Sequence, residues 1–156
     1  MKVAYLHGLE SNNKGAKNDM LRQISTVYDP LIDYCEKHIY FNLKEKIKEF
    51  QPDLIIGSSM GGYFAYHIAN ELNIKAVLFN PALHSRTLEP DMFGLGNKKT
   101  NPKTTVILGV NDEVIDPKLT KQKIGNQKNI HFFDYQHGHR TPYDVFKIEV
   151  EKTLNH

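Results

Sequence analysis

Short apolar runs recur along the chain: VAYL (3–6), DLIIG (53–57), AVLF (76–79), TTVILG (104–109) and IHFFDY (130–135). Each is strand-length and apolar almost throughout, the pattern of strands covered on both faces. A sixth run, STVYDPLID (25–33), is interrupted by Pro30, which cannot donate to a ladder, and predicts a short or edge strand. Between these runs the period lengthens to that of a helix. In NLKEKIKEF, Leu43, Ile47 and Phe50 fall at i, i+4 and i+7, and Asn42 with Glu45 three residues on predicts a capping box. In GGYFAYHIANEL, Phe64, Ile68 and Leu72 form one stripe beside Ala65 and Ala69. NKGAKNDMLRQI and TPYDVFKIEVEKTL complete the helices, the last with Thr141 as N-cap and Pro142 at the first helical position. Alternation of strand and helix predicts a three-layer α/β domain: a mainly parallel sheet of about six strands with helices on both faces and right-handed crossovers. Residues 82–103 carry no clear period and are expected to form a small lid or loop on that single domain.

Composition narrows the class of protein without changing this architecture. A chain of 156 residues, 40% hydrophobic and with eight Phe and eight Tyr, can fill one core. Twenty basic residues against 18 acidic ones give a formal charge of only +2. They are scattered, with no basic run to track a phosphate backbone, so nucleic acid is not the expected partner. Cys35 stands alone and forms no internal disulfide, so nothing points to an oxidising compartment. The opening MKVAYLHGLES lacks the apolar core of a signal peptide, and no later run approaches the roughly 20 apolar residues that span a bilayer. The expectation is a soluble cytoplasmic protein acting on a small molecule.

In a parallel sheet, chemistry gathers where strands end, so the residues after each run matter most. They are HGLES, GSSMGG, NPAL, VNDEVIDP and QHGHRTP in turn. GSSMGG matches the nucleophile elbow G-x-S-x-G, a strained strand-to-helix turn that exposes a serine hydroxyl. Only Ser59 lies between glycines at the required spacing, Gly57 and Gly61; Ser58 would need them where Ile56 and Met60 stand. Ser58 is read as a helix-capping neighbour. A serine hydroxyl is a weak nucleophile and needs a base that is itself oriented by a third group. Asp112 lies just past the end of the fourth run and is the expected acid, with Glu113 as substitute; Asp116 precedes Pro117 and reads as a helix N-cap. His139 is the expected base, with His137 two residues earlier as the alternative. The oxyanion of the reaction needs backbone donors, for which the N–H groups of Met60, after the nucleophile, and Leu9, after the first strand, are placed.

The ordered set YLHGLES, GSSMGGYFA, NPAL, NDEVID and HGH resembles the small α/β-hydrolase esterases of the YqiA/YcfP family over almost the whole chain. That resemblance implies an α/β-hydrolase core reduced to about six strands and serine-esterase activity on short acyl esters. It also implies Ser59 as nucleophile, Asp112 as acid and His139 as base, with no cofactor. Met60 stands where the family often has leucine, and Gly138 and Arg140 flank His139 where an acid and a serine are common.

Three functional classes follow. The first is a serine hydrolase, a carboxylesterase or thioesterase working through an acyl-enzyme. The second is a binding or interaction module that keeps the fold and turns over little. The third reads His137 and His139 as a metal pair, but no further ligands lie at metal spacing, so no metal is expected. Neither substrate identity nor oligomeric state is written in the sequence.

Overall fold

The computed structural model describes residues 1–156. Its elements are β1 (Lys2–Leu6), α1 (Ala16–Ile24), β2 (Thr26–Tyr28), α2 (Ile39–Phe50), β3 (Leu54–Ser58), α3 (Met60–Leu72), β4 (Lys75–Phe79), β5 (Thr104–Gly109), α4 (Pro117–Ile124), β6 (Ile130–Tyr135) and α5 (Tyr143–Leu154). The strands form one fully parallel sheet in the order β2-β1-β3-β4-β5-β6. The strand interrupted by Pro30 is the three-residue β2 at one edge. All strands run the same way, so their carboxyl ends open on one side of the molecule.

Because successive side chains of a strand point to opposite faces, the apolar runs feed two separate cores. Ala4, Leu6, Ile55, Leu78, Val106 and Leu108 belong to a cluster of 24 buried residues to which α3 and α2 contribute most of the helical side chains. Val3, Tyr5, Leu54, Ile56, Val77, Phe79 and Ile107 face a cluster of 12, closed by α1 and α5. The predicted stripe of Phe64 and Ile68 lies wholly buried in the larger cluster, with Leu72 against its margin. A fully buried side chain of this size contributes about 1.5–3 kcal/mol, so the larger layer anchors α3 most firmly. No helix of the chain is long and apolar enough to cross a membrane.

Four local expectations change. IHFFDY is not covered on both faces: as β6 it forms the second edge of the sheet, and Phe132 packs inward while Phe133 is 46% exposed. Helix α2 begins at Ile39, before the predicted cap at Asn42. The reason is tertiary, since Asp91 accepts from the N–H of His38 (2.8 Å) and of Tyr40 (3.3 Å), satisfying donors that the first turn leaves orphaned. Helix α5 begins at Tyr143, with Pro142 rather than Thr141 in the cap position; Thr141 is buried and its hydroxyl caps nothing. Proline disfavours helical geometry in the residue before it, which keeps Thr141 out of the helix. Ser58 ends β3, and no side chain caps α3. Asp116, by contrast, caps α4 as expected, accepting from the Lys118 N–H at 2.8 Å.

Between β4 and β5 no helix forms. Residues 82–103 run as irregular backbone tied to α2 and α3 by Asp91, by Gly96 N–H donating to Glu71, and by the Thr100 hydroxyl and N–H, both donating to the Asn70 carbonyl.

Candidate active site

The turn from β3 into α3 carries Ser59 in a backbone conformation that L-residues rarely adopt, φ 51° and ψ −113°. Such a residue costs on the order of 1–3 kcal/mol and persists only where its surroundings hold it. They do so here from both sides. The Ser59 N–H donates to Phe79 O (3.0 Å), and its carbonyl accepts from Tyr63 (3.1 Å) and Ala82 (3.0 Å). The flanking glycines are required by close approach: a Cβ on Gly57 would collide with the Gly61 carbonyl and Ala65, and one on Gly61 with the carbonyls of Leu6 and His7. The sequence spacing thus has a steric cause.

His139 reaches the same point from the loop after β6. Its Nε2 lies 3.0 Å from Ser59 Oγ, and its Nδ1 lies 2.8 Å from Asp112 Oδ2. A carboxylate only accepts, so Nδ1 carries the proton and Nε2 offers its lone pair to the serine hydroxyl. The Asp112 carboxylate is fully buried, while the imidazole is 24% exposed. The other carboxylate oxygen, Oδ1, accepts from the N–H groups of Val114 (2.8 Å) and Ile115 (2.9 Å), so the acid is fixed before it meets the histidine. Glu113 is exposed, and His137 turns elsewhere, its Nδ1 2.8 Å from the Gly138 carbonyl.

A residue that sequence reasoning passed over holds this loop in place. Asn80, buried and with φ 42°, follows β4. Its Nδ2 donates to the carbonyls of His139 (2.8 Å) and Gly138 (3.4 Å), and its Oδ1 accepts from the Gly109 N–H at 2.8 Å. One amide therefore joins the end of β5 to the histidine loop. Its local signal was the Asn-Pro pair directly after a strand, because asparagine tolerates positive φ and bonds to nearby backbone.

The loop after β1 is built around His7. Its Nε2 accepts from the Ile32 N–H (2.9 Å), so Nδ1 bears the hydrogen and donates to Gly8 O (2.7 Å); the Tyr34 hydroxyl donates to the His7 carbonyl (2.5 Å). Burial holds the His7 imidazole below its ordinary pKa, in keeping with a neutral ring that uses both nitrogens. The built loop brings Gly8 against Ser59, with a Cβ position only 3.5 Å from Ser59 Cβ. Leu9 follows directly, its side chain against the larger core. Across the site, Met60 is the first residue of α3, where an N–H has no acceptor within the helix. His137 and His139 are committed to different partners, and no three His, Cys, Asp or Glu side chains are grouped to hold a metal ion.

The profile described as "Uncharacterised protein family (UPF0227)" matches residues 2–98, well over half of the chain. The chain belongs to that family. The UPF0227 match spans the Ser59 elbow, and whole-length relatives extend it: UPF0227 protein YcfP of Escherichia coli (strain K12 / DH10B) is 27% identical over 182 residues, covering 97% of this chain and 99% of its own length. UPF0227 protein YcfP of Shigella boydii serotype 18 is equally similar, with the same coverage. Among solved structures, a putative hydrolase of the alpha/beta superfamily from Xanthomonas campestris pv. campestris superposes with a TM-score of 0.76 at 17% identity, covering 99% of this chain and 98% of that one. Est1E from Butyrivibrio proteoclasticus gives 0.75 at 13% identity, covering 99% and 87%. A monoacylglycerol lipase from Paleococcus ferrophilus gives 0.76 at 13% identity, covering 99% and 94%. This member of UPF0227 therefore has the α/β-hydrolase fold.

Proposed function

We propose that the protein is a serine hydrolase of carboxylesterase or thioesterase type, cleaving small acyl esters through an acyl-enzyme. The observation that carries this reading is His139 set between Ser59 Oγ at 3.0 Å and Asp112 Oδ2 at 2.8 Å, both within the range of working hydrogen bonds. Two of the structural neighbours, an esterase and a lipase by name, lend it further support.

In this mechanism Ser59 Oγ attacks the acyl carbon while His139 Nε2 takes its proton. Asp112, buried and unable to move away, offsets the positive charge that develops on the imidazole. The carbonyl oxygen, now an oxyanion, lies between the N–H groups of Leu9 and Met60; losing one such donor typically costs about 3–4 kcal/mol of transition-state stabilisation. The carbon–oxygen or carbon–sulfur bond to the leaving group then breaks as Nε2 returns the proton to it. Water, deprotonated by His139, attacks the acyl-enzyme, releases the carboxylic acid and restores the serine. No cofactor enters these steps. The exposed thiol of Cys35 suits a reducing compartment, and the reading places the activity in the cytoplasm.

A fluorophosphonate probe tests the proposal. Wild-type protein is expected to label and Ser59→Ala to remain unlabelled, with Ser58→Ala labelling normally. An unlabelled wild type that also fails to hydrolyse nitrophenyl acetate would instead make the chain a binding module on a hydrolase fold.

A further inference from the structure

Sheet and helix leave a recess at the end of the strands opposite Ser59. It is a groove of about 330 Å³, open to solvent along one side, at the amino end of the sheet between the outer side of α5 and strands β5 and β6. The recess exists because α5 covers Val77, Phe79 and Ile107, and no helix lies beyond it over β6 on that face. Ala76, the methyl side of Thr105 and the half-exposed Phe133 are left as a largely apolar floor.

The rim is basic. Lys75, Lys103 and Lys152 stand around the floor against a single acid, Glu149, so the lining carries a formal +2 and the rest of the chain is balanced. Glu149 is already engaged: it is buried, and its Oε1 accepts from the Tyr135 hydroxyl and from Lys152 at 2.8 Å. Lys75 and Lys103 have no carboxylate at ion-pair distance. His131 and His156 complete the polar border. An uncompensated positive rim over an apolar floor is the complement of an anion with an apolar body.

We infer that this recess is a binding site for an amphipathic organic anion, a carboxylate or phosphate monoester whose head meets Lys75 and Lys103 while its chain lies on Thr105 and Phe133. At roughly 30 Å³ per non-hydrogen atom, as for water, the volume holds about ten such atoms, the size of octanoate. The site shares no residue with Ser59, Asp112 or His139, and the inference stands whether or not those three are catalytic.

The test is an amide NMR titration of the full chain with octanoate and, separately, octyl phosphate. Shifts are expected at Lys103, Thr105 and Phe133 and not at Ser59 or His139, and Ser59→Ala is expected to bind equally well. Lys75→Glu combined with Lys103→Glu should weaken binding about tenfold, and Phe133→Ser should weaken it while both variants keep the wild-type melting temperature. Binding of one probe alone assigns the head group as carboxylate or phosphate. No saturable shift with either probe, affinity unchanged in the double lysine variant, or shifts centred on Ser59 would overturn the assignment.

Discussion

Two carboxylates in this molecule, part-buried Glu71 and fully buried Asp112, each gather three hydrogen bonds, and they end in opposite situations. Glu71, on α3, accepts from the Tyr40 hydroxyl (2.8 Å), Lys44 Nζ (2.7 Å) and the Gly96 N–H (2.9 Å). Burial alone would raise its carboxyl, but the hydrogen bonds from Lys44, Gly96 and Tyr40 outweigh it and hold the group below the usual carboxylate range. With a cation alongside, the network is closed, and its effect is to strap residues 94–96 onto α2 and α3. Asp112 also accepts three bonds, yet its third donor is an imidazole whose far nitrogen meets a strained serine, and no cation neutralises it. The contrast separates a staple from a site: the staple saturates every group, whereas the site leaves one acceptor poised against a hydroxyl.

Substitutions can sharpen or break this contrast. The largest effect is expected at Ser59→Ala, which should lower turnover by about 10⁴-fold or more without loss of stability, as checked by ester hydrolysis and a thermal melt. Asp112→Asn should follow closely, with kcat/KM down by about 10³–10⁴-fold, because the amide no longer enforces the Nδ1–H tautomer of His139. The matching change in the staple, Lys44→Met, should leave kcat/KM unaltered while urea unfolding shows about 1–2 kcal/mol less stability, since the part-buried Glu71 loses its cation but keeps its bonds from Tyr40 and Gly96. Equal losses of activity at Lys44 and Asp112 would erase the distinction. Asn80→Ala should do a little of both, lowering kcat about 10-fold and stability by about 1–2 kcal/mol, since it frees the histidine loop and orphans the Gly109 N–H.

The smallest effect concerns pH. Burial pushes His67, one turn before Glu71 on α3, down to about 4; Glu71 opposes the shift, and Arg86, Lys99 and Lys123 reinforce it. In the unfolded chain a histidine titrates near 6.5. Above that value both states are neutral and His67 contributes nothing to pH dependence. As pH falls from about 6.5 towards 4 the unfolded state takes up the proton first, so stability declines through that window. Unfolding of His67→Gln at pH 7.5 and 4.5 should show a decline smaller by on the order of 1–2 kcal/mol, with the remainder including His7, which is shifted in the same direction.

Much of the architecture was legible because its causes are local. Gly57 and Gly61 stand where two backbones touch, and the apolar runs carry their own length, so the elbow and five of the strands could be read directly. The sixth, β2, was legible only as a weak candidate. What escaped depends on partners distant in sequence. Whether IHFFDY is covered depends on strand order, which no property of those six residues encodes. The start of α2 is set by Asp91, some fifty residues away, which displaced the local signal at Asn42. Asn80 was invisible as a clamp because both groups it joins, the Gly109 N–H and the His139 carbonyl, belong to later parts of the chain. For the site, residue types and spacing singled out Ser59, Asp112 and His139; that His139 rather than His137 lies beside Ser59 depends on the fold of the final loop, which its own residues do not encode.

The separation of Ser59 and His139 by 80 positions has a kinetic meaning. The elbow can form once β1, β3, α3 and β4 have assembled, but His139 arrives only when β6, the last strand, docks at the edge of the sheet. During synthesis the N-terminal part emerges first, so a growing chain carries an exposed serine with no base to activate it. If the proposed mechanism operates, hydrolysis reports completed folding, and its recovery after dilution from denaturant should lag behind the return of helical signal.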